Sequence, residues 1–259
     1  MDLGLAGRFA VVTGASKGIG LAVVRGLVDN GAHVVAGARE SSDELDDLAR
    51  TGQVQIAQVD LSTAAGPASL ITAAGDRIDI LVNNVGSAPS RTGGFLSITD
   101  EDWQATMTLN LLAAVRTTRS ALPAMLSAGQ GAIVNICSAN ARLPDPAVMD
   151  YSAAKAGLAS FSKALSKEVG PHGVRVNAVS PGPVATDLWL GDTGVAKTVS
   201  QATGARPDEV ASQAAHQMVT GRFTQPSEVA DLVLFLASEH AANITGADFA
   251  IDGGLIPTW

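Results

Sequence analysis

The chain has little cysteine and little positive charge, and each shortage excludes a class of protein. Cys137 is the one cysteine among 259 residues, so no internal disulfide can form. The four histidines lie far apart in the sequence, and no metal-site spacing is present. Seventeen Lys and Arg stand against twenty-five Asp and Glu, and the net charge of −8 disfavours nucleic acid or an anionic membrane as a partner. A small molecule is the favoured partner.

Long apolar runs are missing as well. No stretch approaches the roughly 18 uninterrupted apolar residues of a membrane span, and residues 1–10 lack the basic start and apolar run of a signal peptide. We therefore expect a cytoplasmic protein. Hydrophobic residues make up 46% of the chain, and no linker, repeat or low-complexity tract divides it, which favours a single domain over residues 1–259.

Short β-branched segments alternate with longer amphipathic ones almost from end to end. The pattern predicts seven strands, at residues 9–13, 33–38, 54–60, 79–83, 131–138, 174–180 and 248–251. The first is followed by a predicted helix over residues 18–30. Apolar strands that alternate with helices indicate a parallel, doubly wound α/β sheet of Rossmann type, covered by helices on both faces.

Three segments depart from a simple alternation. The predicted helices over residues 100–126 and 152–169 are apolar on several faces, which indicates either deep burial or a subunit interface, and the interface is favoured. Residues 187–222 interrupt the alternation of predicted strands and helices. Such an insertion is a mobile lid or a surface elaboration, and its position after the carboxyl end of a strand favours the lid.

A glycine-rich loop lies between the first strand and the first helix. Its sequence, Thr13-Gly-Ala-Ser-Lys-Gly-Ile-Gly20, stands where the pyrophosphate of a dinucleotide would meet a helix amino end. The spacing differs from the general G-x-G-x-x-G fingerprint, but Gly14, Gly18 and Gly20 can serve the same turning and close-packing purposes. A triphosphate-binding P-loop is disfavoured, because no Gly-Lys-Ser/Thr closes the motif. An ordinary glycine-rich turn is the alternative.

Arg39 follows the second strand, where a protein that binds unphosphorylated NAD usually carries an acid for the ribose hydroxyls. Arginine suits a 2′-phosphate, and Lys17 in the glycine loop offers a second positive charge. Both residues are otherwise ordinary solvated cations, and Glu40 keeps NAD possible. The sequence favours NADP.

Tyr151 is the one tyrosine of the chain, and Lys155 follows it on the same face of a predicted helix. A nearby ammonium reduces the cost of ionising a tyrosine. Ser138 ends the fifth predicted strand, where it can donate a hydrogen bond to a carbonyl oxygen or simply cap a turn. Asn110 lies inside a predicted helix although asparagine is a weak helix former, and it is either an exposed helical residue or one with a specific role.

These residues together resemble the short-chain dehydrogenase/reductase family over nearly the whole chain. The matching motifs, in the family's order, are Thr13-Gly-x-x-x-Gly-x-Gly20, Asp60-Leu61, Asn83-Asn84-Val85-Gly86, Asn110, Ser138, Tyr151-x-x-x-Lys155 and Pro181-Gly-Pro-Val-Ala-Thr186. Val85 is a departure, because the family most often has alanine there.

The resemblance implies a catalytic tetrad. In it Tyr151 exchanges a proton with the substrate oxygen, Ser138 polarises that oxygen, Lys155 lowers the tyrosine pKa and holds the nicotinamide ribose, and Asn110 positions a water. It also implies cofactor contacts from the glycine loop and from the strand ends. The predicted cofactor-binding residues are Gly14, Ser16, Lys17, Gly18, Ile19, Gly20, Arg39, Asp60, Leu61, Asn84, Val85, Gly86, Tyr151, Lys155, Pro181, Gly182, Val184 and Thr186.

The sequence is thus interpreted as an NADPH-dependent carbonyl reductase that acts on a fairly apolar small molecule. An NAD-linked alcohol, sterol or sugar dehydrogenase is the near alternative, and a non-catalytic dinucleotide sensor is a more distant one. The predicted substrate pocket contains Asn140, Leu143, Val148, Leu188 and Trp189. The family's fold also implies a homotetramer or homodimer.

Overall fold

One seven-stranded parallel sheet forms the centre of residues 2–258, the part of the chain that the computed structural model describes. The strands are β1 (Phe9–Thr13), β2 (His33–Ala38), β3 (Val54–Gln58), β4 (Ile80–Asn83), β5 (Gly131–Ile136), β6 (Val174–Pro181) and β7 (Asp248–Ile251). They lie in the order β3-β2-β1-β4-β5-β6-β7, so the connections reverse direction between β1 and β4. The predicted fold is confirmed, and every predicted strand is present to within two residues.

Helices cover both faces of the sheet. They are α1 (Gly18–Asp29), α2 (Asp43–Ala49), α3 (Gly66–Ala74), α4 (Asp100–Met107), α5 (Ala113–Ala128), α6 (Met149–Val169), α7 (Asp187–Leu190), α8 (Val195–Thr203), α9 (Pro207–His216) and α10 (Pro226–Ala237). None of the helices in residues 2–258 is long and apolar enough to cross a membrane.

Alternate residues of each strand face opposite halves of the core. In β1, Ala10 and Val12 pack with α1 and α10, while Val11 packs on the other face with α3, α5 and α6. Both sets are buried. This two-sided burial explains why β1 carries apolar residues at consecutive positions and does not alternate between apolar and polar residues.

The helix predicted over residues 100–126 is interrupted. A π-helical segment, Thr108–Leu112, separates α4 from α5, and Asn110 lies within it. A π-helical turn carries one extra residue, which rotates the side chains that follow and is common at functional sites. The interruption therefore explains how an asparagine inside a long helix turns towards the protein interior.

Residues 187–222, the segment predicted as a lid, contain α7, α8 and α9. The main chain before this segment is tied to the main chain after it, because Val184 forms a β-bridge with Thr224. The ring of Trp189 lies edge-on to that of Phe223, with 5.4 Å between their centroids. Leu188 and Leu190 remain exposed. The segment thus carries apolar side chains that the rest of the chain does not cover.

Candidate active site

The loop between β1 and α1 lies at the carboxyl edge of the sheet, beside the place between β1 and β4 where the connections reverse direction. Gly14 and Gly18 have φ angles of +64° and +56°, a region that favours glycine. A methyl group on Gly20 would overlap the carbonyl oxygen of Gly14. No side-chain hydrogen bond caps the amino end of α1. Ser16 and Ile19 are half-buried in the same loop. The loop fits the pyrophosphate of a dinucleotide, because an uncapped helix amino end offers N–H donors and a partial positive charge.

Thr13 and Asn84 tie this loop to the end of β4. The Thr13 hydroxyl accepts hydrogen bonds from the main-chain N–H groups of Asn84 (2.8 Å) and Val85 (3.0 Å). In return, Nδ2 of Asn84 donates to the carbonyl oxygens of Thr13 and Gly14, each at 3.0 Å. The side-chain amide nitrogen of Asn84 is therefore used to hold the glycine loop.

Ser138, Tyr151 and Lys155 meet where β5 ends and α6 begins. The Ser138 side chain is buried and accepts a hydrogen bond from the main-chain N–H of Asn140 at 3.1 Å. Ser138 also lies near the half-buried Tyr151 and lowers the pKa of its hydroxyl. Lys155 is buried, its Nζ donates to the carbonyl oxygen of Ile136 at 2.8 Å, and this Nζ lies 5.7 Å from the centre of the Tyr151 ring.

Asn110 is buried, which excludes the alternative of an exposed helical residue. Its Nδ2 donates to the carbonyl oxygens of Ser87 and Thr106, both at 3.0 Å, and its Oδ1 accepts from the Ser87 N–H at 3.1 Å. A methyl group on Gly86 would lie 2.6 Å from Asn110 Oδ1 and 3.4 Å from Lys155 Nζ. The absence of a side chain at Gly86 thus lets Asn110 and Lys155 approach the same point.

Burial dominates the ionisation of the two titratable members of this group. It lowers the pKa of Lys155 to about 8. It also raises the pKa of Tyr151 to about 12, although the neighbouring Ser138 acts in the opposite direction. In the chain by itself, Tyr151 is therefore a protonated phenol at neutral pH, and Lys155 titrates close to the physiological range.

The two cations predicted to select NADP are both exposed. Nζ of Lys17 lies 3.6 Å from a carboxylate oxygen of Asp187, at the start of the predicted lid. Arg39 lies near Asp60, whose pKa is lowered chiefly by hydrogen bonds from the side chain and main chain of Ser62, with a smaller effect from Arg39. The positive charge of Arg39 is thus placed near the predicted cofactor-binding residues Asp60 and Leu61, of which Leu61 is buried.

The segment from Pro181 to Thr186 leads from β6 towards the glycine loop. Gly182 lies against the main chain of Asp252, because a methyl group there would be 2.9 Å from the Asp252 Cα. Val184 is buried. Thr186 lies beside Gly18, where an added methyl group would contact the threonine Cγ2 at 3.2 Å. The predicted cofactor-binding residues that follow β6 therefore lie beside the predicted pyrophosphate loop.

The predicted pocket residues lie on two connections at the same edge. Asn140, Leu143 and Val148 lie between β5 and α6, and Leu188 and Trp189 lie in α7. Val148 is buried, whereas Leu143 and Leu188 are 43% and 42% exposed. The two leucines thus offer uncovered apolar surface to a ligand.

Comparison with known proteins agrees with this arrangement. A family model described as enoyl-(acyl carrier protein) reductase matches residues 14–256. The 3-oxoacyl-[acyl-carrier-protein] reductase of Chlamydia pneumoniae is 33% identical, over 98% of this chain and 99% of that protein. The chain belongs to the short-chain dehydrogenase/reductase family. The corresponding reductase of Synechocystis sp. is 36% identical, over 97% of this chain and 98% of that protein.

A solved member of the short-chain dehydrogenase/reductase family has the same fold along its whole length. It is the L-sorbose reductase of Gluconobacter frateurii in complex with NADPH and L-sorbose, 34% identical, with a TM-score of 0.91 and full coverage of both chains. The present chain is accordingly an NAD(P)-dependent oxidoreductase of this family.

Sequence reasoning did not single out three polar residues that lie behind the predicted tetrad. They are Arg91, Thr106 and Asp150, which contact one another inside the protein. Only the position of Asp150 immediately before Tyr151 gave any signal in the sequence.

Proposed function

We propose that the protein is an NADPH-dependent carbonyl reductase that interconverts a ketone or aldehyde and the corresponding alcohol. The observation that carries this proposal is the convergence of Asn110, Ser138, Tyr151 and Lys155 beside the uncapped amino end of α1. The L-sorbose reductase with bound NADPH supports it, because that protein has the same fold and is named for the reduction of a ketone.

Each member of the tetrad has a distinct role in the proposal. The Tyr151 hydroxyl gives its proton to the substrate oxygen as a general acid, and Ser138 donates a hydrogen bond to the same oxygen. The buried Lys155 ammonium holds the cofactor ribose and favours the tyrosinate that remains. Asn110 positions a water for proton return. When bound, the nicotinamide supplies the hydride.

The cofactor preference is proposed to depend on charge. Lys17 lies in the glycine loop and Arg39 follows β2, and both are exposed cations that suit a 2′-phosphate. The residue next to Arg39 is Glu40, which is also exposed and leaves a weaker use of NAD open. Measurement of kcat/KM with both cofactors tests this preference.

We further propose that residues 187–222 act as a lid and that the substrate is fairly apolar. Leu188, Leu190 and Trp189 would cover the substrate when the segment closes, which would exclude water from the reacting atoms. The contact between Lys17 and Asp187 supports a link between the cofactor loop and the lid.

A homodimer or homotetramer is also part of the proposal. The outer face of α6 exposes the small residues Ala153, Ala156, Ser160 and Ala164 at helical spacing. Small side chains allow a second helix to approach closely, and an isologous contact would bury this face. Light scattering after size-exclusion chromatography measures the assembly.

The proposed activity is tested with Tyr151→Phe, which removes the proton donor and keeps the ring. We expect kcat for a ketone substrate to fall more than about 100-fold while the Kd for NADPH changes less than about threefold. A broad panel of carbonyl compounds, followed by loss of NADPH absorbance, supplies the substrate. Wild-type protein that binds NADPH but reduces none of them would favour the dinucleotide sensor. A phenylalanine variant that keeps more than a tenth of wild-type kcat would remove Tyr151 from its role.

A further inference from the structure

A buried ion pair lies directly behind the first turn of α6. Asp150, which precedes Tyr151, has no exposed side-chain surface, and Arg91 comes from the connection between β4 and α4 with 15% of its side chain exposed. Nη2 and Nε of Arg91 donate to Oδ2 of Asp150 at 2.6 Å and 3.1 Å. The contact therefore joins the loop after β4 to the turn that carries Tyr151.

Two further contacts brace the same arginine. Its Nη1 donates to Oδ1 of Asp102 in α4 at 2.9 Å. Its main-chain N–H donates to the carbonyl oxygen of Ala147, just before α6, at 2.7 Å. Arg91 thus holds α4 and the amino end of α6 from a single position.

Thr106 connects this ion pair to the tetrad. Its hydroxyl donates to Oδ2 of Asp150 at 2.7 Å, while its carbonyl oxygen accepts a hydrogen bond from Nδ2 of Asn110 at 3.0 Å. One residue of α4 therefore contacts both the neighbour of Tyr151 and the side chain of Asn110.

The cluster is costly if stability is its only purpose. A buried ion pair pays a desolvation penalty that well-packed apolar side chains avoid, so its presence is weak evidence of a stabilising role. Burial by itself would raise the pKa of Asp150, but the hydrogen bonds from Arg91 and Thr106 hold that pKa below its ordinary value. Asp150 is therefore an anion, and one of its two carboxylate oxygens, Oδ2, accepts three hydrogen bonds.

We propose that Arg91, Thr106 and Asp150 form a positioning cluster that fixes the first turn of α6 against the π-helical segment. The cluster thereby sets where the Tyr151 hydroxyl lies relative to Ser138 and Asn110. Its effect on turnover rests on the proposed function, whereas its effect on the placement of Tyr151 does not.

The sequence offers a probe that does not depend on activity. Tyr151 is the one tyrosine of the chain, so labelling with 3-fluorotyrosine gives a single fluorine NMR resonance. The fluorine also acidifies the phenol, which brings its titration into a range where folded protein can be studied. The chemical shift and titration midpoint then report the surroundings of Tyr151 with or without turnover.

Four variants separate positioning from charge and from general stability. Arg91→Met and Asp150→Leu break the cluster, whereas Asp150→Asn keeps an oxygen that can accept the same three hydrogen bonds. Arg175→Met is the matched control. Arg175 lies near the amino end of β6, at the edge of the sheet opposite the predicted tetrad, and its side chain donates to the carbonyl oxygens of Leu236, Ser238 and Ile244. This variant loses an arginine with three side-chain hydrogen bonds at a position far from Tyr151.

We expect Arg91→Met and Asp150→Leu to move the fluorine resonance and to raise its titration midpoint, since Tyr151 moves away from Ser138, which lowers its pKa. Their kcat should fall at least tenfold, with the Kd for NADPH within threefold of wild type. Asp150→Asn should recover most of the kcat that Asp150→Leu loses, and Arg175→Met should leave the resonance in place. Arg91→Lys replaces Arg91→Met if the latter does not fold, and it should show the same changes to a smaller degree.

Other outcomes would overturn the inference. An unmoved resonance in both cluster-breaking variants would refute the positioning role, and an equal change in Arg175→Met would reduce it to general stability. If wild-type protein lacks reductase activity, the proposed function fails, but the fluorine measurements still decide whether the cluster places Tyr151.

Discussion

Gly20→Ala tests whether close packing in the glycine loop is needed to bind the cofactor. The added methyl group would overlap the carbonyl oxygen of Gly14 and would lie 2.6 Å from Nδ2 of Asn84, so the loop must move by roughly 1 Å to restore ordinary contacts. Overpacking of this kind costs about 1–3 kcal/mol. Helix propensity alone favours alanine over glycine by about 1 kcal/mol, so any net destabilisation measures the clash.

Gly170→Ala provides the matched control for this prediction. Gly170 has a helical φ of −54°, and an added methyl group would have no neighbour within 4 Å. We expect this variant to be as stable as wild type or slightly more stable in urea unfolding. Gly20→Ala should unfold at lower urea concentration.

The affinity for NADPH measures the same movement at the site. A shift of the Gly14 carbonyl also breaks the hydrogen bonds that Asn84 makes to the loop. We expect the Kd for NADPH, measured by fluorescence titration, to rise at least tenfold in Gly20→Ala, which corresponds to about 1.4 kcal/mol. A Kd within threefold of wild type, together with a urea midpoint equal to that of Gly170→Ala, would refute the reasoning.

Three other predictions follow from the site. Arg39→Asp should lower the ratio of kcat/KM for NADPH to that for NADH at least tenfold, and an unchanged ratio would leave Arg39 as a surface residue. The pKa of Lys155 is lowered to about 8 in the folded state, so unfolded chains bind more protons than folded chains above that pH. The free energy of unfolding should therefore rise between pH 8 and 10 by about 2–3 kcal/mol relative to that of Lys155→Met, and parallel pH dependences of the two free energies would contradict this. Hydrogen exchange at residues 188–199 should slow when NADPH binds, whereas equal protection and an unchanged KM in Trp189→Ala would remove the lid.

The sequence by itself determined the sheet and the glycine loop. Strands that are covered on both faces carry consecutive apolar residues, so segments such as residues 34–38 are recognisable without any knowledge of their neighbours. The glycines at 14, 18 and 20 were recognisable for a similar reason, because a tight turn between a strand and a helix requires particular residues at a fixed local spacing.

The tertiary structure decided the surroundings of the reactive groups. The π-helical turn that buries Asn110 depends on contacts with Ser87, 23 residues away, and Arg91 meets Asp150 across 59 residues of sequence. The raised pKa of Tyr151 likewise results chiefly from burial by the folded chain. Local patterns encode backbone geometry, whereas desolvation and hydrogen bonding depend on distances in space, and only the folded chain brings those groups together.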